Sequence, residues 1–436
     1  MLLILVTLVH AVSIVSALDP PQETYHGHKV FRVYPGADTD HKELLNTFTH
    51  NDQVDIWRTP RHSNDSYDVK VHPDIEIDNF IQELENLGTD YKIWINDLQE
   101  LIENERKPSK NIEKRATRYI RHDAYHTYPT ILSYMNTVAE TATNADVELG
   151  ELGKSFERRS MVYLKITKRG GSAGKKAIFI DGGIHAREWI APAVVLYIID
   201  QLAFNPYNDP DVSLMLDYFD WYLLPVVNPD GYQYSITTSR LWRKNRSTYS
   251  GRCLCYGSCV GVDLNRNFAF NWDPNLGGST VPCAETYSGE SAFSEPESRN
   301  LGRFLCEHGS EIISYISFHA YGQLWMYPWG YTYQLPHDYT DLEEVATNAT
   351  RALRNVYSSN YIVGSSTNVL YPAAGGTDDY AKGQCGIKYA YTVELRDRGH
   401  FAFILPQEQI VPTADETWTA LKTLADSIIR KEHLNR

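Results

Sequence analysis

The chain has 436 residues, enough for two or more domains with one large core, and an ordinary globular composition with many Tyr (30) and Trp (9). A formal net charge of −14 and no evident basic patch speak against a nucleic-acid partner.

Residues 1–17 are apolar, uncharged apart from the amino terminus, and close on Val15-Ser16-Ala17. They read as a secretory signal peptide cut after Ala17, since the apolar stretch falls short of the about 20 residues that a membrane anchor needs. No later segment is apolar enough to span a bilayer, so the expectation is a secreted protein with no membrane partner.

A small unit occupies residues 18–97. Residues 29–34 alternate as a strand, 40–48 read as a short helix, and 53–57 and 66–71 as two more strands. Ile75, Ile77, Phe80, Ile81, Leu84 and Leu87 keep a helical period, and 91–95 is strand-like again. The βαββαβ order predicts a small α+β open sandwich. It carries more than half of the net negative charge. Residues 98–115 read as a charged helical connector containing Arg106-Lys107 and Lys114-Arg115. Such pairs are either a solvated helix face or a cleavage site for a trypsin-like activating protease, and a compact leading domain on a secreted chain favours the latter.

From Ala116 to the end the pattern changes. Strands are expected at 161–166, 177–180, 220–227, 312–318 and 389–393, and helices at 190–202, from 294–297 to Cys306, and at 413–430. Ser294 with Glu297 and Thr413 with Glu416 have capping-box spacing, and Asn228-Pro229-Asp230-Gly231 reads as a turn. The alternation predicts an α/β fold: a mixed, mostly parallel sheet with helices on both faces and sites gathered beyond strand ends.

The stretch from Gly182 to Ile190 sits on one such strand-to-helix turn and carries His185 and Glu188 three positions apart, a spacing that lets two side chains converge on a metal. Catalytic zinc commonly takes three protein ligands and a water. His319, directly after the strand at 312–318, is the candidate third. Glu394 ends the strand at 389–393, where a carboxylate could take a proton from an activated water. Arg187, Arg243 and Arg266 lie in or just after these loops and could bind a carboxylate or a developing oxyanion. Six cysteines in a secreted chain imply disulfides; Cys253, Cys255 and Cys259 lack the C-x-x-C spacing of a thiolate metal site. Asn64, Asn245 and Asn348 begin glycosylation sequons.

His185-x-x-Glu188, Asn265-Arg266, His319, Tyr371 and Glu394 together resemble the pancreatic-type metallocarboxypeptidases of the A/B subfamily. The resemblance covers nearly everything after residue 17 and makes the leading unit look like their inhibitory activation segment. It implies one Zn2+ per chain on His185, Glu188 and His319, with Asp263 as the partner behind His185. Glu394 would be the general base and Arg243 the stabiliser of the oxyanion. Asn265, Arg266 and Tyr371 would clamp the free carboxylate of a peptide or protein C-terminus, with Arg187 and Tyr321 at neighbouring subsites. A disulfide between Cys259 and Cys283 is implied, whereas Cys253, Cys255, Cys306 and Cys385 stay unassigned. Asp378, matching the base of the pocket for the last side chain, makes the sequence resemble the B type that removes Lys or Arg; Gly330, Ser366 and Ala320 depart from that pattern. The expected protein is a monomeric zymogen held by its own prodomain. The alternatives are A-type selectivity for aromatic or aliphatic ends, or a silent peptide-binding relative.

Overall fold

The computed structural model describes residues 22–36, 39–49, 53–60, 65–107, 120–172, 174–205, 209–248 and 259–434. The signal segment, Asn64, Lys114-Arg115, Cys253 and Cys255 lie outside them.

The leading unit runs β1 (Lys29–Pro35), α1 (His41–Thr49), β2 (Val54–Arg58), β3 (Tyr67–Val71), α2 (Ile77–Asn86) and β4 (Thr89–Ile95), in the expected order. Its strands form an antiparallel sheet ordered β2-β3-β1-β4. Phe31, Val33, Phe48, Val69, Phe80 and Leu84 make its core. Because side chains alternate along a strand, β2 has two faces with different tasks. Val54 and Ile56 pack on that core, while Asp55 and Trp57 are buried the other way, toward the larger body. α3 (Leu98–Arg106) follows, capped by Asp97, whose side chain accepts from the amides of Gln99 and Glu100.

The larger body contains α4 (Tyr128–Thr141), β5 (Ala145–Lys154), β6 (Ser160–Lys168), β7 (Lys176–Gly182), α5 (Ile190–Phe204), α6 (Pro210–Tyr218), β8 (Phe219–Leu224), α7 (Pro229–Thr237) and α8 (Pro296–Glu307). It continues with β9 (Ile312–His319), β10 (Leu324–Tyr327), α9 (Tyr339–Tyr357), β11 (Ile362–Ser365), α10 (Ser366–Val369), α11 (Thr377–Gly383), β12 (Tyr389–Glu394) and α12 (Ile410–Lys431). Eight strands form one mixed sheet, β11-β10-β12-β9-β7-β8-β6-β5, parallel at β8/β7/β9/β12 and β10/β11 and antiparallel elsewhere. Both faces are covered, which is why Ala177 to Ile180 of β7 form an unbroken apolar run rather than alternating. Its Ile178 and Ile180 enter the cluster with α4, α5, α9 and α12, whereas Ala177 and Phe179 enter the cluster with α8 and α11.

Local expectations fail in four places. Residues 228–231 open α7 instead of forming a free turn: Asn228 is its cap, and Oδ1 accepts from the Gly231 amide (2.9 Å). Neither capping box forms. Glu295, not Ser294, holds the N-cap position of α8 and makes no side-chain capping bond, and the Glu297 carboxylate accepts from the Phe156 amide and from Asn245. Thr413 lies inside α12, its hydroxyl donating to the Gln409 carbonyl, and Glu416 is drawn off to Arg396. Finally, Asn245 is fully buried, with Nδ2 donating to Glu295 and Oδ1 accepting from the Val262 amide, so its sequon cannot carry a glycan.

Candidate metal centre and substrate cleft

The turn after β7 is forced into shape by close approach. Gly183 has φ +64°, and a side chain there would meet Pro192 at 3.0 Å; a Cβ on Gly182 would meet the Ala191 backbone at 3.0 Å. The turn thus lies flat on the start of α5, with the Asn228 amide donating to the carbonyls of Ile184 and Lys244 and the Ala186 amide donating to the Arg243 carbonyl. These bonds lock the segments bearing His185, Glu188 and Arg243 together.

His185, Glu188 and His319 are buried and offer ligand atoms that all lie within 4.8 Å of one another, the one such trio among the described residues. His185 Nδ1 is 2.9 Å from Glu188 Oε1, His319 Nδ1 is 3.1 Å from Glu188 Oε2, and the two Nδ1 atoms are 3.1 Å apart. On its far side His185 Nε2 lies 3.1 Å from Asp263 Oδ1. A carboxylate only accepts, so Nε2 carries the proton and Nδ1 presents its lone pair to the centre. Burial opposes the charge on Glu188, yet His185 and His319 hold it below the usual carboxylate range. Two imidazole nitrogens and one carboxylate oxygen suit one zinc per chain with an open position.

Glu394 is placed by register rather than by sequence neighbourhood: β9 and β12 are parallel partners, and Glu394 pairs with His319. Arg243 Nη2 bonds Asp263 Oδ2 at 2.8 Å, with Nη1 3.7 Å from Glu188. Asn265 and Arg266 sit on a short 3-10 turn, Leu264–Arg266, whose cap is Asp263. Asn265 Oδ1 accepts from the Thr377 amide, and Arg266 Nη2 is 3.3 Å from the Tyr371 hydroxyl. Gly375, at φ +78°, passes so close to the Arg266 carbonyl that a Cβ would stand 2.4 Å from it.

Asp378, in the first turn of α11, is 5% exposed and its pKa is pushed up by burial, although the Asp379 backbone amide and the Ser366 and Thr392 hydroxyls donate to it. Asp379 is turned away, accepting from the amides of Gly330 and Tyr331.

His185, Glu188, Arg243, Asn265, Arg266, His319, Tyr371, Asp378 and Glu394 line one cavity of about 840 Å³, together with Arg187 and Tyr321, while Asp263 stands behind His185. The leading unit supplies part of its wall, with Ile56, Trp57, Arg58 and Tyr67. Asp55 Oδ2 accepts from Arg187 Nη1 (2.9 Å), Asp68 from the Tyr321 hydroxyl (3.2 Å), and Trp57 packs edge-on against Phe403. A buried pair anchors the connector: Arg240 donates to both Glu105 oxygens at 2.7 Å while stacking on Trp189. The sequence reading missed Asp55, Glu105, Arg240 and Thr392. Only Asp55 carried a signal, as a polar residue alternating with Val54 and Ile56. Disulfides join Cys259 to Cys283 and Cys306 to Cys385.

The family model described as zinc carboxypeptidase matches residues 131–420, and that described as carboxypeptidase activation peptide matches residues 31–105. The chain is 47% identical over 306 residues to carboxypeptidase B of Astacus astacus, covering 70% of this chain and 97% of that protein. It is 39% identical over 413 residues to carboxypeptidase A2 of Rattus norvegicus, covering 93% and 95%. The crystal structure of thrombin activatable fibrinolysis inhibitor superposes with a TM-score of 0.82 at 31% identity, covering 93% of this chain and 99% of that one. With likeness running through both the leading unit and the body that holds the His-Glu-His trio, the chain belongs to the pancreatic-type zinc carboxypeptidases, in zymogen form with its activation peptide attached.

Proposed function

We propose that this zymogen is secreted and, once its leading domain is cut away, removes Lys or Arg from peptide and protein C-termini. The observation that carries this reading is the buried carboxylate of Asp378 in the cleft lining. A cationic side chain would pair with it, whereas an apolar one would leave a buried acid without a counter-charge. Ser366 supports a second reading, preference for aromatic or aliphatic ends, because its hydroxyl already donates to Asp378 Oδ2 (3.1 Å).

His185, Glu188 and His319 would hold the zinc, which when bound supplies a Lewis acid for water and the scissile carbonyl. Asp263 keeps the His185 proton on Nε2. Glu394 takes the proton of the attacking water and returns it to the leaving amine. Arg243 stabilises the negative charge developing on the substrate's carbonyl oxygen. Asn265, Arg266 and Tyr371 clamp the terminal carboxylate, which makes the enzyme an exopeptidase. Arg187 and Tyr321 serve the residues upstream, and Asp55 and Asp68 cover them until activation.

The same reading divides the chain into a signal peptide (1–17), an activation domain (18–97), a connector (98–115) and a catalytic domain (116–436) that works as a monomer. A trypsin-like protease acts in the connector. Arg106 ends a helix pinned by the buried Glu105, which favours cleavage at Lys114-Arg115. Trypsin-treated protein should release Lys and Arg at least about 100-fold faster than Phe from matched peptides and show a new amino terminus near Ala116. Faster release of Phe overturns the specificity.

A further inference from the structure

The two histidines of the trio are braced differently. His185 rests directly on Asp263. His319 Nε2 instead lies 3.3 Å from the Ser317 hydroxyl, which donates to Asp181 Oδ1 at 2.7 Å. The other Asp181 oxygen accepts from the Tyr315 hydroxyl at 2.6 Å.

Asp181, Tyr315 and Ser317 are wholly buried in β7 and β9, the innermost strands of the large sheet. Their placement follows from strand geometry. Tyr315, Ser317 and His319 alternate onto one face of β9, and Asp181 is the register partner of Ser317 across the parallel pair. Polar groups in a sheet centre cost free energy unless every hydrogen bond is made. Here the directions are determined. A serine has one hydroxyl proton, the carboxylate can only accept, and so the proton points to Asp181. The remaining lone pairs of Ser317 face the imidazole, which must then donate from Nε2 and leave Nδ1 bare.

We propose that Asp181 and Ser317 form a relay that sets the tautomer and ring orientation of His319, with Ser317 the positioning residue, so that the second imidazole is presented to the metal as Asp263 presents the first. The relay rests on the zinc reading of the trio.

The test measures zinc affinity of the full chain by chelator competition, alongside thermal unfolding of the zinc-free protein. Ser317→Ala should weaken zinc binding about tenfold, as loss of such a partner does, and, because it leaves buried Asp181 one hydrogen bond short, should also lower the zinc-free unfolding midpoint. Ser317→Thr, which restores a hydroxyl, should recover most of the affinity. Ser317→Cys, close in size but a weak hydrogen-bonding group, should fall between them and serves if the alanine variant does not fold. Zinc affinity in Ser317→Ala within twofold of the parent would overturn the relay. So would equal losses of zinc affinity in the Ala and Thr variants, which would mean packing. Failure of the parent protein to bind one zinc would instead sink the ligand assignment itself.

Discussion

Two arginines in the cleft are held by aspartates in nearly the same way, and the difference lies in where the aspartates come from. Arg243 bonds Asp263 at 2.8 Å, and both belong to the catalytic body. Arg187 bonds Asp55 at 2.9 Å, and Asp55 sits on β2 of the activation domain. On the proposed reading, the first pair persists through activation and also orients His185, whereas the second disappears with the leading domain and leaves Arg187 to the substrate. One piece of chemistry, a buried guanidinium on a carboxylate, thus serves as fixed scaffolding on one wall and as a removable cover on the other.

The fixed wall should be the more sensitive to chemistry. Glu394→Gln in the trypsin-activated protein is expected to lower kcat by about 10²–10⁴, while zinc content stays near one per chain; retained turnover would remove Glu394 from the reaction. The removable wall should be sensitive only in the zymogen. Glu105→Ala strands Arg240 without its bidentate partner, and breaking a buried pair costs about 3–5 kcal/mol. Calorimetry of the zymogen should show the loss, and the activated enzyme, which lacks residue 105, should unfold as before. Asp55→Ala removes a monodentate bond to Arg187, together with a bond from the Trp57 indole, and should cost less, about 2 kcal/mol, seen as faster hydrogen exchange in β2; exchange equal to the parent's would mean that Asp55 does not hold the cover in place.

The smallest effect concerns pH. Burial, with help from Lys70 and His72, lowers the pKa of His28 to about 4. A neutral ring is therefore favoured in the folded activation domain. Its contribution to stability is complete above about pH 6.5 and is lost as pH falls toward about 4. The zymogen's first unfolding transition should drop across that window, and His28→Phe should flatten the drop.

Much of the architecture was legible because it is written in local periodicity. The leading βαββαβ order and the central strands of the body could be read from apolar alternation and short apolar runs. The capping boxes failed because spacing says nothing about competing partners: Glu297 and Glu416 were claimed by Asn245 and Arg396, far away in sequence. α9 is not anticipated either, although Leu342, Val345, Ala346, Ala349 and Leu353 keep a helical period and Asp338 stands at its N-cap.

By itself the sequence determined that His185 and Glu188 share a strand-to-helix turn, and that His319 and Glu394 each end a buried strand, since these depend on neighbours within a few residues. The tertiary structure decided that Glu394 lies beside His319, that Asp181 supports it through Ser317, that Cys306 joins Cys385, and that Asp55 closes over Arg187. Those facts depend on strand register and on docking between distant segments. Such placements are selected by the burial and hydrogen bonding of whole faces, and no local spacing encodes them.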